Sequence, residues 1–318
     1  MKRHERSIAE SPPTASRKPT DIERVKAMIL KDYATHARRF FWRVPDPDPY
    51  MVLVSETMLQ QTQTARVQEK LPVFLKQFPD FSTLAAADNA TVIRAWKGMG
   101  YNNRALRLRD CARAVCERFD GRLPDNAEAL SSLPGIGPYT TAAILSFAFH
   151  EDVIVLDVNV RRLYSRLFQR QSTTLDALPE CILRSIADEV YPRGRSSDWH
   201  QACMDIAAQY CTAHAPRCPS CPVAQACMSA HVLLDAAPPR IAEPSYRGIP
   251  NRIWRGKIID ILRGLASGTM ITLTDLGISL GGVSVPLDDE WLGRLLQALE
   301  RDGLVERDAS ADAVRLHP

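Results

Sequence analysis

Four of the chain's eight cysteines fall within residues 211–227, spaced Cys211-x6-Cys218-x2-Cys221-x5-Cys227. Thiolates this close in sequence converge on one centre only if that centre is compact and soft. Structural zinc usually takes two Cys-x2-Cys knuckles set further apart, and this loop has one. A cubane cluster, with each of four irons taking one thiolate, fits a single short loop better, and zinc is the other reading. Pro216, Pro219 and Pro222 stiffen the segment. The remaining cysteines, Cys111, Cys116, Cys181 and Cys203, lie in helical patterns with apolar neighbours and read as small buried hydrophobes.

Upstream of this loop, apolar residues recur at spacings of three and four from residue 22 to about 210, so the body should be mainly helical. Helices are expected at Ile22–Tyr33, Met51–Phe74, Asp88–Lys97, Ala105–Phe119 and Ala127–Leu133, separated by Gly- and Pro-rich turns. Residues 1–22 read as a flexible tail, basic but without the apolar h-region of a secretory signal. A reducing, cytoplasmic setting follows. No stretch approaches the roughly 20 apolar residues of a membrane helix. The proline-interrupted segment 229–250 reads as a linker. Residues 251–318 then give three helices (Arg252–Leu265, Leu273–Leu280, Asp288–Asp302) and a strand pair, the order of a small winged-helix-like domain. With 40 basic and 37 acidic residues, the chain has no global field to draw a polyanion. Any nucleic-acid affinity must come from local donors.

Four segments carry candidate chemistry. Leu133-Pro134-Gly135-Ile136-Gly137 joins two helices. Gly135 and Gly137 permit positive φ and expose consecutive N–H groups, and the next helix opens at Pro138, a favoured first-turn residue. Such a turn can hold a phosphate without reading sequence. Glu56 sits among Val54, Met58 and Leu59, where partial burial would raise its pKa and suit a general acid. Asp157 ends the apolar run Val153-Ile154-Val155-Leu156, either as an N-cap for a helix from Val158 or as a functional carboxylate. Tyr101 follows Gly98-Met99-Gly100, flanked by Asn102, Asn103 and Arg104, which suggest an exposed tip; an aromatic there can wedge between bases.

Together these residues resemble the helix-hairpin-helix DNA glycosylases that carry an iron–sulfur loop. The likeness covers roughly residues 25–228. The cysteine spacing is similar to that of endonuclease III and the adenine DNA glycosylases (MutY type). LPGIG followed by YTTAAIL resembles the family hairpin. WRVPDPDPYMVLVSETMLQQTQ resembles the adenine enzymes, and endonuclease III lacks its Glu. The resemblance implies a mainly α, two-lobed fold (residues 23–228) with a [4Fe–4S] loop held by Cys211, Cys218, Cys221 and Cys227. It implies Glu56 as the acid that protonates the departing adenine and Asp157 as the carboxylate facing the oxocarbenium-like sugar, with Asn159 orienting it. Tyr139 stands where bifunctional members place a Schiff-base Lys, so hydrolysis to an abasic site without strong lyase activity is implied. Gln60, Gln61 and Tyr101 would meet the opened duplex. Gly135 and Gly137 would hold the backbone and a monovalent cation, and Arg217 would meet a phosphate.

The implied partner is double-stranded DNA bearing a mismatch or lesion, bound by a monomer associated with the nucleoid and not with a membrane. The excised base would be adenine opposite G or 8-oxoguanine. Removal of T or U opposite G is the alternative, and a non-catalytic iron–sulfur DNA-binding regulator is the reading from another class. Three departures stand out. Val158 replaces a common Gly, Asn102 replaces a second Tyr, and the family's pyrophosphohydrolase-like domain that inspects 8-oxoguanine is missing. Asp288-Asp289-Glu290 at the start of the third helix of the C-terminal region would repel phosphates, so its basic residues Arg247, Arg252, Arg255 and Lys257 are the expected face toward DNA or the catalytic lobe. The ligand or protein partner of that region is not legible.

Overall fold

The computed structural model describes residues 19–168, 178–230, 243–281 and 287–318. Most of the expected tail (1–18) and of the expected linker (231–242) lies outside them. In chain order the helices are α1 (Pro19–His36), α2 (Pro49–Leu59), α3 (Thr64–Gln77), α4 (Phe81–Ala86), α5 (Asn89–Ala95), α6 (Asn103–Phe119), α7 (Ala127–Ser131), α8 (Pro138–Phe147), α9 (Val158–Phe168), α10 (Glu180–Val190), α11 (Ser196–Gln209), α12 (Asn251–Gly264), α13 (Leu273–Gly281) and α14 (Asp289–Arg301). Five short strands follow the cysteine loop: β1 (Ser245–Tyr246), β2 (Ile249–Pro250), β3 (Ile271–Thr272), β4 (Val305–Asp308) and β5 (Ala313–Leu316). Among the described residues, no helix is long and apolar enough to cross a membrane.

By contacts the chain divides into two units, Met1–Ala37 with Val158–Ala237, and Arg38–Asp157 with Pro238–Pro318. In the first unit α11 packs against both α1 and α9, and Ile22, Val25 and Ile29 of α1, Leu163 and Leu167 of α9 and Trp199 of α11 are buried. Trp199 is anchored by its Nε1–H to the Tyr164 hydroxyl at 2.7 Å. Ile22 belongs to this core and Pro19 is compatible with a helix start, so α1 begins three residues before the expected end of the tail. Of the four cysteines outside the loop, Cys111 and Cys203 are buried, but Cys116 is half-buried and Cys181 is exposed. The helical stripe therefore did not bury all of them.

In the second unit, the expected single helix Met51–Phe74 is two. α2 starts where Asp48 accepts the Tyr50 N–H at 2.9 Å with Pro49 in the first turn. It stops at Leu59 because a buried arginine takes its last carbonyls: Arg104 Nη1 donates to Thr57 O at 2.7 Å, to Met58 O at 3.2 Å and to Gln60 O. This supplies the donors that a helix C-terminus lacks. Gln61 then takes the left-handed conformation (φ 55°), so Gln60 and Gln61 lie in the connection before α3 and not inside the expected helix Met51–Phe74.

Residues 243–318 belong to the same unit. Their order is β1-β2-α12-β3-α13-α14-β4-β5; β1 and β2 pair antiparallel within the end of the expected linker, and an antiparallel sheet β3-β5-β4 adds to the expected three helices and strand pair a two-residue strand, β3, too short to show alternation. Trp291, Leu292, Leu295, Leu296 and Leu299 of α14 are buried, the face the sequence marks. The acids opening α14 have a local cause. Asp288 caps the helix by accepting the Trp291 N–H at 2.6 Å, and Asp289 and Glu290 lie at the positive end of the helix dipole. The expected basic face is largely engaged within the protein: Arg252 pairs with Glu243 at 2.8 Å, Arg255 pairs with Asp302, and Lys257 lies 4.5 Å from the Trp254 ring centroid.

Candidate active site

Two strongly apolar helices deliver the acid. In α2, Val52, Leu53, Val54 and Met58 are all buried, and Glu56 sits between them at 7 % exposure. In α8, Thr140, Ala143, Ile144 and Phe147 are buried beside Tyr139 at the first turn. The Tyr139 hydroxyl donates to Glu56 Oε2 at 2.7 Å. Asp157 arrives from an irregular apolar segment in which Val155 and Leu156 are buried.

Glu56 is raised to about 7. Burial is the main cause and the nearby Asp157 carboxylate adds to it, while the Tyr139 hydroxyl and the Arg43 guanidinium pull the other way. The same two acids and its own burial push the Tyr139 phenol far above its usual range, so it stays a donor. Glu56, Tyr139, Asp157 and Arg43 thus form one electrostatic group. A carboxyl with a pKa near neutrality is available as a proton donor where an ordinary glutamate is not. Arg43 is a residue that the sequence reading passed over, although it lies in the quoted WR segment.

The hairpin before α8 adopts its turn with Gly135 at φ 77°, where an added Cβ would lie 3.1 Å from Arg107 Cβ. Gly137 is different. It has an extended backbone (φ −94°) and serves as the N-cap of α8, so it needs no left-handed freedom. Nothing lies within 4 Å of where its Cβ would be, which leaves the helix N-terminus open.

Tyr101 is 49 % exposed at φ 45°. The neighbouring Arg104 is not exposed, contrary to its expected part in an open tip. It is buried and donates to Met99 O at 3.0 Å and Gly100 O at 3.2 Å as well as to the end of α2. Its guanidinium also lies 5.7 Å from the Tyr101 ring centroid. One arginine therefore fixes both the Gln60–Gln61 connection and the Tyr101 turn. Its charge gave no hint of this in the sequence, since a lone Arg after a turn usually faces solvent.

In the other unit, Asn159 is on the first turn of α9, where its Oδ1 accepts from Arg162 Nη2 at 3.0 Å; Arg162 Nε donates to Cys211 O at 2.7 Å. Val158 is 70 % exposed. The four loop cysteines line one cavity with Leu163, Tyr210 and Val223, and Arg217 is exposed. Among the described residues, no group of three or more His, Cys, Asp or Glu is placed to hold a single metal ion. The thiols ring a space instead. Burial, with the other three thiols adding, pushes Cys221 up to about 12. Such a set becomes favourable as thiolates only around a positive guest. Arg166, buried beside it, donates to Cys211 Sγ at 3.4 Å and to Thr212 O at 2.8 Å.

Residues 54–184 match the HhH-GPD superfamily base excision DNA repair protein family. The adenine DNA glycosylase of Mycobacterium tuberculosis is 35 % identical over 284 residues, 88 % of this chain and 89 % of that protein. That of Mycolicibacterium smegmatis is 34 % identical over 90 % of this chain and 94 % of its own. Spans this long reach past residue 250, so these relatives share at least part of the C-terminal region. A solved thermostable thymine-DNA glycosylase superposes with a TM-score of 0.60 and 29 % identity, covering 65 % of this chain and 95 % of its own. The chain belongs to the helix-hairpin-helix base excision DNA repair superfamily and, within it, to the adenine DNA glycosylases.

Proposed function

We propose that this protein releases adenine mispaired with guanine or 8-oxoguanine in duplex DNA by hydrolysing its N-glycosidic bond, leaving an abasic site. The observation that carries the reading is the Glu56–Tyr139–Asp157 group with Glu56 raised to about 7. Cleavage of an N-glycosidic bond develops positive charge on the sugar and negative charge on the leaving base, and one carboxyl can serve each. Glu56, whose pKa near neutrality lets it hold a proton there, hands that proton to the ring nitrogen of the departing adenine. Asp157 faces C1′ and stabilises the oxocarbenium-like sugar until water adds. Tyr139 holds Glu56 by its hydroxyl and has no amine with which to trap C1′, so the strand stays intact.

The target base must leave the stack before either carboxyl reaches it. Tyr101, exposed on a backbone conformation held by Arg104, enters the duplex, with Gln60 and Gln61 beside it. The Gly135–Gly137 turn and the open end of α8 hold the DNA backbone and a monovalent cation, and Arg217 meets a phosphate. Cys211, Cys218, Cys221 and Cys227 would hold a [4Fe–4S] cluster, which ties the 211–227 loop together; a ring of thiols around a space suits a multi-atom guest better than one ion. Residues 251–318 form a winged-helix-like region, joined by the β1-β2 pair that packs Tyr246 on Trp291. The protein works as a monomer on nucleoid DNA in the cytoplasm.

The test is a panel of duplexes bearing A opposite 8-oxoguanine, A opposite G, T opposite G and U opposite G, assayed with and without alkali. Free adenine with alkali-dependent breaks is the expected result. Release of T or U, which the likeness to a thymine-DNA glycosylase keeps as the second reading, would reassign the pocket. Breaks without alkali would overturn the role of Tyr139.

A further inference from the structure

The C-terminal region packs directly against the helices behind the Tyr101 turn. Ala90 and Ile93 of α5 and Leu106 of α6 are buried in one apolar cluster with Ile258, Leu262 and Leu299. At its edge stands Arg263 of α12, whose side chain is 5 % exposed. Its Nε donates to Ile93 O at 2.9 Å, its Nη2 donates to Asn102 Oδ1 at 2.7 Å, and its Nη1 pairs with Asp260 at 2.7 Å. Asn102 directly follows Tyr101. Left-handed backbone at a bulky residue such as Tyr101 persists only where the surroundings over-determine it. Arg104 supplies one set of constraints, from within the helical body. Arg263 supplies a second, from the C-terminal region. Asn102, in place of the Tyr common in the adenine enzymes, gives that arginine a short amide acceptor.

We propose that Arg263 is a positioning residue for base extrusion: by gripping Asn102 and the end of α5 it holds Tyr101 in the attitude in which its ring enters the duplex, so the C-terminal region is a brace for the DNA-opening turn. A charged donor buried against neutral acceptors is among the stronger hydrogen bonds, and its loss frees Asn102 and lets the Tyr101 backbone relax. The proposal rests on Tyr101 being the inserting residue, as put forward above.

Stopped-flow fluorescence of a purine analogue stacked beside the target adenine reads base opening apart from bond cleavage. Arg263→Met and Asn102→Ala should each slow the opening phase roughly tenfold. The double variant should be no slower than Arg263→Met alone, because that substitution already removes the contact to Asn102. The pH profile of cleavage should stay in place, since Glu56 is untouched. Leu299→Ala, a cavity in the same apolar cluster, serves as a match for general loss of stability and should open the base at the unmodified rate. If Leu299→Ala slows opening as much as Arg263→Met, softening of the domain explains the effect and the brace is overturned. If Arg263→Met opens the base normally while Tyr101→Ala does not, the brace falls and the inserting role of Tyr101 stands. If Tyr101→Ala also opens the base normally, both fall.

Discussion

Glu56 is buried and Cys221 half-buried, both acids are raised by their surroundings, and the chain treats them in different ways. Around Glu56 the compensation is built in: the Tyr139 hydroxyl at 2.7 Å and the nearby Arg43 charge offset part of the cost of burial. The group ends near neutrality, able to hold or release a proton. Around Cys221 the Val223 backbone N–H offsets part of the cost of burial, but the charge-bearing neighbours are three more cysteines, which add to the penalty. The first site is complete as a set of side chains. The second is balanced only when something positive sits among its sulfurs. On the proposed reading, chemistry belongs to the carboxyl group and support of the fold to the thiols.

The largest effect that could break this division is at Asp157. Asp157→Asn removes the carboxyl proposed to face the sugar, and adenine release should fall about a thousandfold or more while duplex binding survives. Single-turnover kinetics beside a binding titration check both. An Asn variant of ordinary activity would show that a second carboxylate is not needed.

Next comes the thiol ring. Iron chelation, or Cys218→Ser, should lower the midpoint of thermal unfolding by about 5–10 °C and leave the pH profile of any remaining activity unmoved. Elemental analysis of the pure protein should give four irons per chain; a single zinc would redefine the guest.

Tyr139→Phe sharpens the account of the carboxyl site. The hydroxyl holds Glu56 down, so its removal should move the alkaline limb of the pH profile upward, with a loss in maximal rate of about tenfold. Linkage gives the same group a second signature. Because its folded pKa is raised, Glu56 contributes to stability in full below its ordinary value near 4.5, and that contribution is lost as pH rises through about 7. Glu56→Gln should accordingly melt higher, relative to the unmodified protein, at pH 8 than at pH 5.

The smallest expected change is Gly135→Ala. A positive φ and a Cβ placed 3.1 Å from Arg107 Cβ should cost about 1–2 kcal/mol of stability and weaken DNA binding modestly. Gly137→Ala, with an extended backbone and open space, should be nearly neutral for folding.

The two regions also differ in how far they could be read from residues. The four cysteines lie within one loop, so their spacing alone implied a shared centre. Glu56, Tyr139 and Asp157 come from three segments, and only the family likeness put them together. The amphipathic face of α14 was plain because five apolar residues repeat at helical spacing. The end of α2 was not, because the cause is Arg104, 45 residues beyond Leu59, and no local signal marks a helix that a distant guanidinium will stop. The pairing of Arg252 and Arg255 with Glu243 and Asp302 was hidden in the same way: charge is visible in a sequence, its partner is not. Burial of Arg263 against Asn102 belongs to the same class.

The most direct measurement is the rate of adenine release under single-turnover conditions between pH 5 and pH 9, for the unmodified protein and for Glu56→Gln. The account expects the unmodified rate to fall as pH rises through about 7, following loss of the Glu56 proton, and the Gln variant to be roughly 10²–10⁴-fold slower with that limb gone. A Gln variant that keeps both the rate and the alkaline limb would mean that the proton reaches the leaving base from another group.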